Sequence, residues 1–332
     1  LVTLILSIRE PSDLGGLPML VGEADKNQGV RLCAPQWVFF LKQAAAQGKP
    51  TILFIDELTT AAPSLQAAAL RVVNEKYVGE ERLPDNIWIV AAANDVSIAA
   101  NGTELSPPLA NRFYHTSVKY DNKEFCLNFP SYWGDAPQIS GFSVAEMKAW
   151  QDARNRIAGF LNSNPAVGHK LPKEQSEMSK AWPSPRTWDY ASRVLALTPN
   201  YEDSVQVMAG CVGHGATMEF ISWNKNVDLP DPEELLKNPD KWNYTKENKK
   251  RGDITFAILG SVHSAFTANQ TQQRWAAAWK IYSKVLEAGQ PDIVAQWAAQ
   301  LLKGFKPGGN LVIPPEASKF TQLFKASGIL AG

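Results

Sequence analysis

The chain predicts an α/β unit built on a parallel sheet, followed by a long helical region. Three observations carry that prediction. Two apolar runs, ILFI at 52–55 and IWIV at 87–90, each lead into polar residues and are separated by the helix-like SLQAAALRVVNEK. A third apolar run, LVTLILSI, opens the sequence. Beyond about residue 120, apolar side chains recur at helical spacing. The order strand–helix–strand–helix–strand is that of a parallel sheet, because parallel neighbours need a crossover between them.

In chain order, residues 1–8 read as a strand. Residues 11–32 (PSDLGGLPMLVGEADKNQGVRL) are punctuated by Gly and Pro and read as an exposed, loop-like excursion. PQWVFFLKQAAAQ reads as a helix entered through Pro35 and closed by Gly48. The strand at 51–55 follows, then a helix over 64–76 with Ser64 as its cap, then NIWIVAAAND. In the second half, FSVAEMKAWQDARNRIAGFLN, RTWDYASRVLALT and SVQVMAGCVGHGATMEFISW read as helices. Residues 224–252 are polar and proline-punctuated, a connecting segment, and three further helical stretches lie between 253 and 328. The expected division is an α/β core over 1–125, a helical lid over 140–223 and a helical extension over 224–332.

Hydrophobic residues make up 45% and charged residues 20% of the 332, ordinary for a soluble globular protein. Lys+Arg and Asp+Glu are both 33, so no net charge draws the chain to nucleic acid or membrane. Cys33, Cys126 and Cys211 fit no zinc spacing and cannot all pair, which suits reduced thiols in a cytoplasm. LVTLILSI is too short to span a bilayer and lacks a basic flank and an initiator Met. The chain is therefore expected to begin inside a domain. His115, His169, His214 and His263 have no metal-ligand spacing and read as structural.

Chemistry concentrates where the apolar runs stop. Ionising Asp56 and Glu57 inside a buried strand would cost several kcal/mol, so both belong where the strand leaves the sheet. Ligands of open parallel sheets bind at that edge. The alternative is that the acids start the next helix, whose positive end suits them. Asn94 ends the neighbouring run, Arg112 follows a proline-rich loop in LSPPLANRF, and Arg186 opens a helix in WPSPRTW. Taken singly, Asn94 suits a strand-end cap, Arg112 a surface ion pair, and Arg186 a helix start, although a cation there opposes the dipole. Together they suit nucleotide hydrolysis. A strand-end Asp can hold Mg²⁺ through water, an adjacent Glu can take the proton of an attacking water, and arginines can neutralise charge on a transferring phosphoryl group.

This ordered set resembles AAA+ ATPases, and more narrowly their MoxR-like branch, over residues 1–125 and again around 181–223. The resemblance implies a Walker B role for ILFIDE, with Asp56 for magnesium and Glu57 as catalytic base. It implies a sensor-1 role for Asn94, an arginine finger reaching a neighbouring subunit for Arg112, and a sensor-2 role for Arg186. IREPSDLGGLP resembles the loop such proteins place before a pore-facing insert, making Leu14, Gly15, Gly16, Leu17 and Pro18 a candidate substrate loop; an ordinary surface turn fits as well. The implied protein binds ATP and Mg²⁺, forms a homo-oligomeric ring, commonly a hexamer, and remodels a protein client, often beside a von Willebrand factor A domain protein.

Two features depart from the family. Asn111 stands where Asp usually precedes the arginine. No G-x-x-x-x-G-K-[ST] occurs in the 332 residues, and Gly48–Lys49–Pro50 leads into a strand, whereas a phosphate cradle must lead into a helix. The expectation is a truncated AAA+ core whose first strand and phosphate loop lie upstream. A non-hydrolysing scaffold subunit is the alternative. A nucleic-acid motor or clamp-loader-like protein is a weaker one, because no basic stripe is present.

Overall fold

A computed structural model of the protein describes residues 1–23, 26–96, 102–134, 141–198, 200–225, 227–244, 251–305 and 309–326. They belong to two units, Leu1–Val118 and Lys119–Gly332, each with its own hydrophobic core.

The first unit runs β1 (Val2–Ile5), α1 (Ser12–Gly15), β2 (Leu17–Glu23), β3 (Lys26–Cys33), α2 (Gln36–Ala46), β4 (Thr51–Asp56), α3 (Pro63–Glu75), β5 (Tyr77–Val78), β6 (Glu81–Arg82), β7 (Ile87–Ala91) and α4 (Pro107–Ala110). As expected, β1, β4 and β7 form a parallel sheet, in spatial order β1-β4-β7. The register pairs Val2 with Leu53, Ile5 with Asp56, Thr51 with Ile87 and Ile55 with Ala91. Both crossovers step in the same direction, so right-handed connections send α2 and α3 to the same face. Leu4, Leu53, Ile55 and Ile87 on that face share a core with Trp37, Val38 and Leu41 of α2 and Leu65, Ala69 and Val72 of α3.

The opposite face is open. Side chains alternate along a strand, and Thr3, Ile5, Ile52, Trp88 and Val90 point away from the helices and are exposed. Trp88 is 72% exposed and Val90 44%. Parallel sheets are ordinarily covered on both faces, so this apolar surface is a feature of the unit to be accounted for.

Residues 11–32 correct the loop expectation. After the short α1 they form an antiparallel hairpin, pairing Leu17 with Cys33 and Leu20 with Val30. Pro18, Gly22 and Gly29 suggest a loop, yet each tolerates an exposed two-stranded ribbon, where no central ladder is broken. At its base the positive-φ Gly16 lies so close to Cys33 and Gly79 that a Cβ would sit 3.0 Å from their backbone atoms. The cap of α3 is corrected too: Pro63 takes the first helical position behind Ala62, and Ser64 makes no capping bond.

The second unit runs α5 (Asn122–Asn128), α6 (Val144–Ser163), α7 (Gln175–Met178), α8 (Pro185–Leu197), α9 (Tyr201–Val212), α10 (His214–Asn224), α11 (Pro232–Lys237), α12 (Gly252–Ala268), α13 (Gln272–Glu287), α14 (Pro291–Lys303) and α15 (Thr321–Ala326). SVQVMAGCVGHGATMEFISW is two helices, α9 and α10, because Gly213 at φ 81 breaks the run. The polar segment 224–252 carries α11 and a 3-10 turn at Pro239–Lys241. One core extends from Phe125 to Phe324, so helices from 140–223 and from 224–332 pack together. Among the described residues no helix is long and apolar enough to cross a membrane, and all three cysteines are free.

Candidate functional site: an acidic strand end

Asp56 is the last residue of β4, the middle strand, and sits at the carboxyl edge beside Ile5. By alternation its side chain follows Ile52 and Phe54 onto the open face. Its Oδ1 accepts the Glu57 backbone N–H at 2.9 Å, so the two acids are fixed to each other. Glu57 then turns the chain sharply, with φ 57 in the left-handed region that non-glycine residues rarely occupy.

The turn is held from both sides. The ladder to β7 continues beyond the strands: Ala92 N–H donates to Ile55 O at 2.8 Å and Leu58 N–H to Ala92 O at 3.1 Å. Leu58 is buried and anchors the loop in the core. Thr59, also buried, donates its hydroxyl to the Asn94 carbonyl at 2.9 Å. Asp56, Glu57 and Asn94 therefore occupy the same edge of the sheet, and the Asn94 side chain is exposed there. Sequence reasoning identified these three residues but missed what positions them.

It also missed Ser7. This residue lies on the 3-10 turn Leu6–Ile8 directly after β1, and its hydroxyl donates a hydrogen bond to Glu57 Oε2. The sequence carries no clear signal for it: Ile5 pairs with Asp56, which sets Leu6 level with Glu57 and Ser7 one residue further on, a register known only once β1 and β4 are paired.

The arginines are elsewhere. Arg112 follows α4 and donates through Nε to Asn74 Oδ1 at 2.9 Å. Asn74 is near the end of α3, where Lys76 Nζ donates to Ile87 O at 3.0 Å, at the amino end of β7. From Pro63 to Asn74 the helix rises about 16 Å, so Arg112 is carried away from the acidic edge of its own unit. Arg186 belongs to the second unit, exposed in the first turn of α8, with no hydrogen-bond or ion-pair partner among the described residues. In the candidate substrate loop, Leu14 is buried in the core and Gly15 and Gly16 carry no side chain, whereas Leu17 and Pro18, which open the hairpin, are exposed. The exposed apolar surface continues along the hairpin at Met19 and Leu20.

Among the described residues no three His, Cys, Asp or Glu side chains converge on one point. Asp56 and Glu57 offer hard oxygen ligands, which fit Mg²⁺ only if water and substrate oxygens fill the rest of an octahedral shell. No protein-family model, curated protein or solved structure matches this chain.

Proposed function

We propose that this chain is part of an Mg²⁺- and ATP-dependent AAA+ protein of MoxR-like type, hydrolysing ATP between subunits of a ring to remodel a protein client. The observation that carries the reading is the fixed group Asp56–Glu57–Asn94 at the carboxyl edge of a parallel sheet. In it Asp56 would hold the metal through water, Glu57 would take the proton of the attacking water, and Asn94 would orient that water. Arg112, held far along α3 from its own acidic pair, would serve the site of a neighbouring subunit.

The open sheet supports the same reading. Among the described residues β7 pairs only with β4, and the face bearing Trp88 and Val90 is bare. A strand added beyond β7 and joined to β1 by a right-handed helical crossover would step in the reverse direction. Its helix would cover the bare face. It would also create a switch point in strand order at the carboxyl end of β7, beside Asn94 and one strand from Asp56, where phosphate-binding loops of α/β sheets lie. The G-x-x-x-x-G-K cradle that this reading needs does not occur in the 332 residues. The second reading, a non-hydrolysing scaffold subunit, is favoured by that same missing motif.

The test is turnover by the full-length protein. Glu57→Gln is expected to bind ATP and lose roughly 10²–10⁴ in rate. Arg112→Ala is expected to be equally impaired, and mixed rings of the two variants should recover activity, since each supplies what its neighbour lacks. Full activity of Glu57→Gln, or no recovery on mixing, removes this reading; ATP binding without turnover in the unaltered protein selects the scaffold.

A further inference from the structure

The second unit contains a cavity of about 290 Å³ at the carboxyl ends of α12 and α14, lined in part by Asn128, Trp133, His263, Thr267, Gln270 and Gln300. We propose that it binds a small, uncharged, hydroxyl-bearing ring of the monosaccharide class.

Charge makes the first selection. No carboxylate lines the cavity, and its one cation, Lys303, is exposed. A cation would find no paired charge that recovers its hydration, and an anion would find only the solvent-exposed Lys303. His263 adds no charge: it is 8% exposed, and burial lowers its imidazole to about 4. Its Nδ1 meets no protein group. A phenylalanine would pack against Trp297 and avoid the cost of an unmet buried polar atom, so simple packing leaves this histidine unexplained.

Hydrogen-bonding capacity makes the second. Thr267 donates to the His263 carbonyl at 2.9 Å and keeps its oxygen lone pairs. Gln300 Nε2 lies 3.3 Å from Asn128 Oδ1, leaving the Gln300 carbonyl oxygen to accept. The Gln270 amide, with both donors and acceptor, has no partner among the described residues. Mixed donors and acceptors without net charge match a hydroxyl group, which both gives and takes.

The rim makes the third. Trp133 is 56% exposed, on a backbone at φ 55, and Tyr132 before it is also left-handed at φ 48. Two such residues in succession are unfavourable for side chains of this size. Neighbours hold them there. The Tyr132 hydroxyl donates to Asp189, and the Arg154 guanidinium lies 4.3 Å from the Tyr132 ring centroid. Phe125 packs 6.1 Å from the Trp133 ring. An indole presented this way offers a flat apolar surface to the C–H face of a sugar ring. The volume falls just below the usual range of about 300–1,000 Å³ for ligand pockets, which suits one ring and excludes a longer oligomer.

The full chain should be titrated with the methyl glycosides of glucose, galactose and mannose, followed by saturation-transfer NMR and Trp emission. Saturable binding of at least one, roughly millimolar, is expected. Trp133→Ala should weaken it about tenfold and Gln270→Ala measurably, both with unchanged thermal midpoints because both side chains lie at the rim. Three outcomes overturn the proposal: no saturation by any of the three at 100 mM (about a hundredfold above the expected constant); equal affinity in Trp133→Ala; or tighter binding of glucosamine or glucuronate than of the neutral glycosides.

Discussion

At Glu57 the needs of folding and of chemistry point in opposite directions. Its left-handed backbone costs a side-chain-bearing residue roughly 1–2 kcal/mol and costs glycine almost nothing. A turn selected only to leave the sheet would carry glycine, as the turn at Gly48 (φ 71) does. A carboxylate kept at such a price in strain is what a functional position looks like. Glu57→Gly is therefore expected to be more stable than Glu57→Ala by about 1 kcal/mol. Both variants lose the carboxylate and the Ser7 bond, so urea unfolding of the pair isolates the backbone. Equal stability would mean that the turn relaxes when the side chain goes. Asp56 and Glu57 were legible in the sequence because an apolar run ending on two acids has few harmless explanations. Ser7 was not, because its role depends on strand register, which the sequence leaves open until β1 and β4 are paired.

The elements show the same division between what is local and what is not. β4, β7 and their intervening helix were legible, since apolar runs and helical spacing are local patterns. The hairpin of β2 and β3 was not: its strands show no clean alternation, and glycine and proline dominate the local signal. Gly213 was also misread. A glycine within an apolar helical pattern usually lowers helicity without ending it, and only the packing of Gly213 against Ala181 O, 2.7 Å from where a Cβ would lie, fixes φ 81 there. Gly213→Ala should destabilise the second unit by about 2–3 kcal/mol, from the left-handed backbone together with the clash. Thermal unfolding followed by far-ultraviolet circular dichroism would register the loss. An unchanged midpoint would show α9 and α10 fusing into the single helix that the sequence alone suggests.

At the scale of the whole molecule the two units have separate cores and should respond differently to acid. His263 is central to the difference, buried on α12 in the second unit and held below its ordinary value, at about 4. The unfolded chain binds its proton near 6.5, so between these values the unfolded state carries the proton and the folded state does not. Stability then rises with pH through this window. The contribution is complete well above 6.5, falls by roughly 1 kcal/mol at pH 5.5 and by about 3 kcal/mol at pH 4. Asp231, Glu233 and Asp253, held low by Lys148, Arg274 and Arg251, add losses only nearer pH 4. In the first unit Glu81 is held low by Lys42 in a half-buried pair at the surface, where solvent screens it. Acid should therefore unfold the second unit at lower urea, with a signal easily followed, because Trp150, Trp188, Trp275, Trp279 and Trp297 are all fully buried there. His263→Phe removes the titrating group and should flatten the urea midpoint between pH 6.5 and 5. A midpoint in the unaltered protein that is already flat across that range would mean that the folded state admits the proton, with the imidazole reaching water through the adjoining cavity.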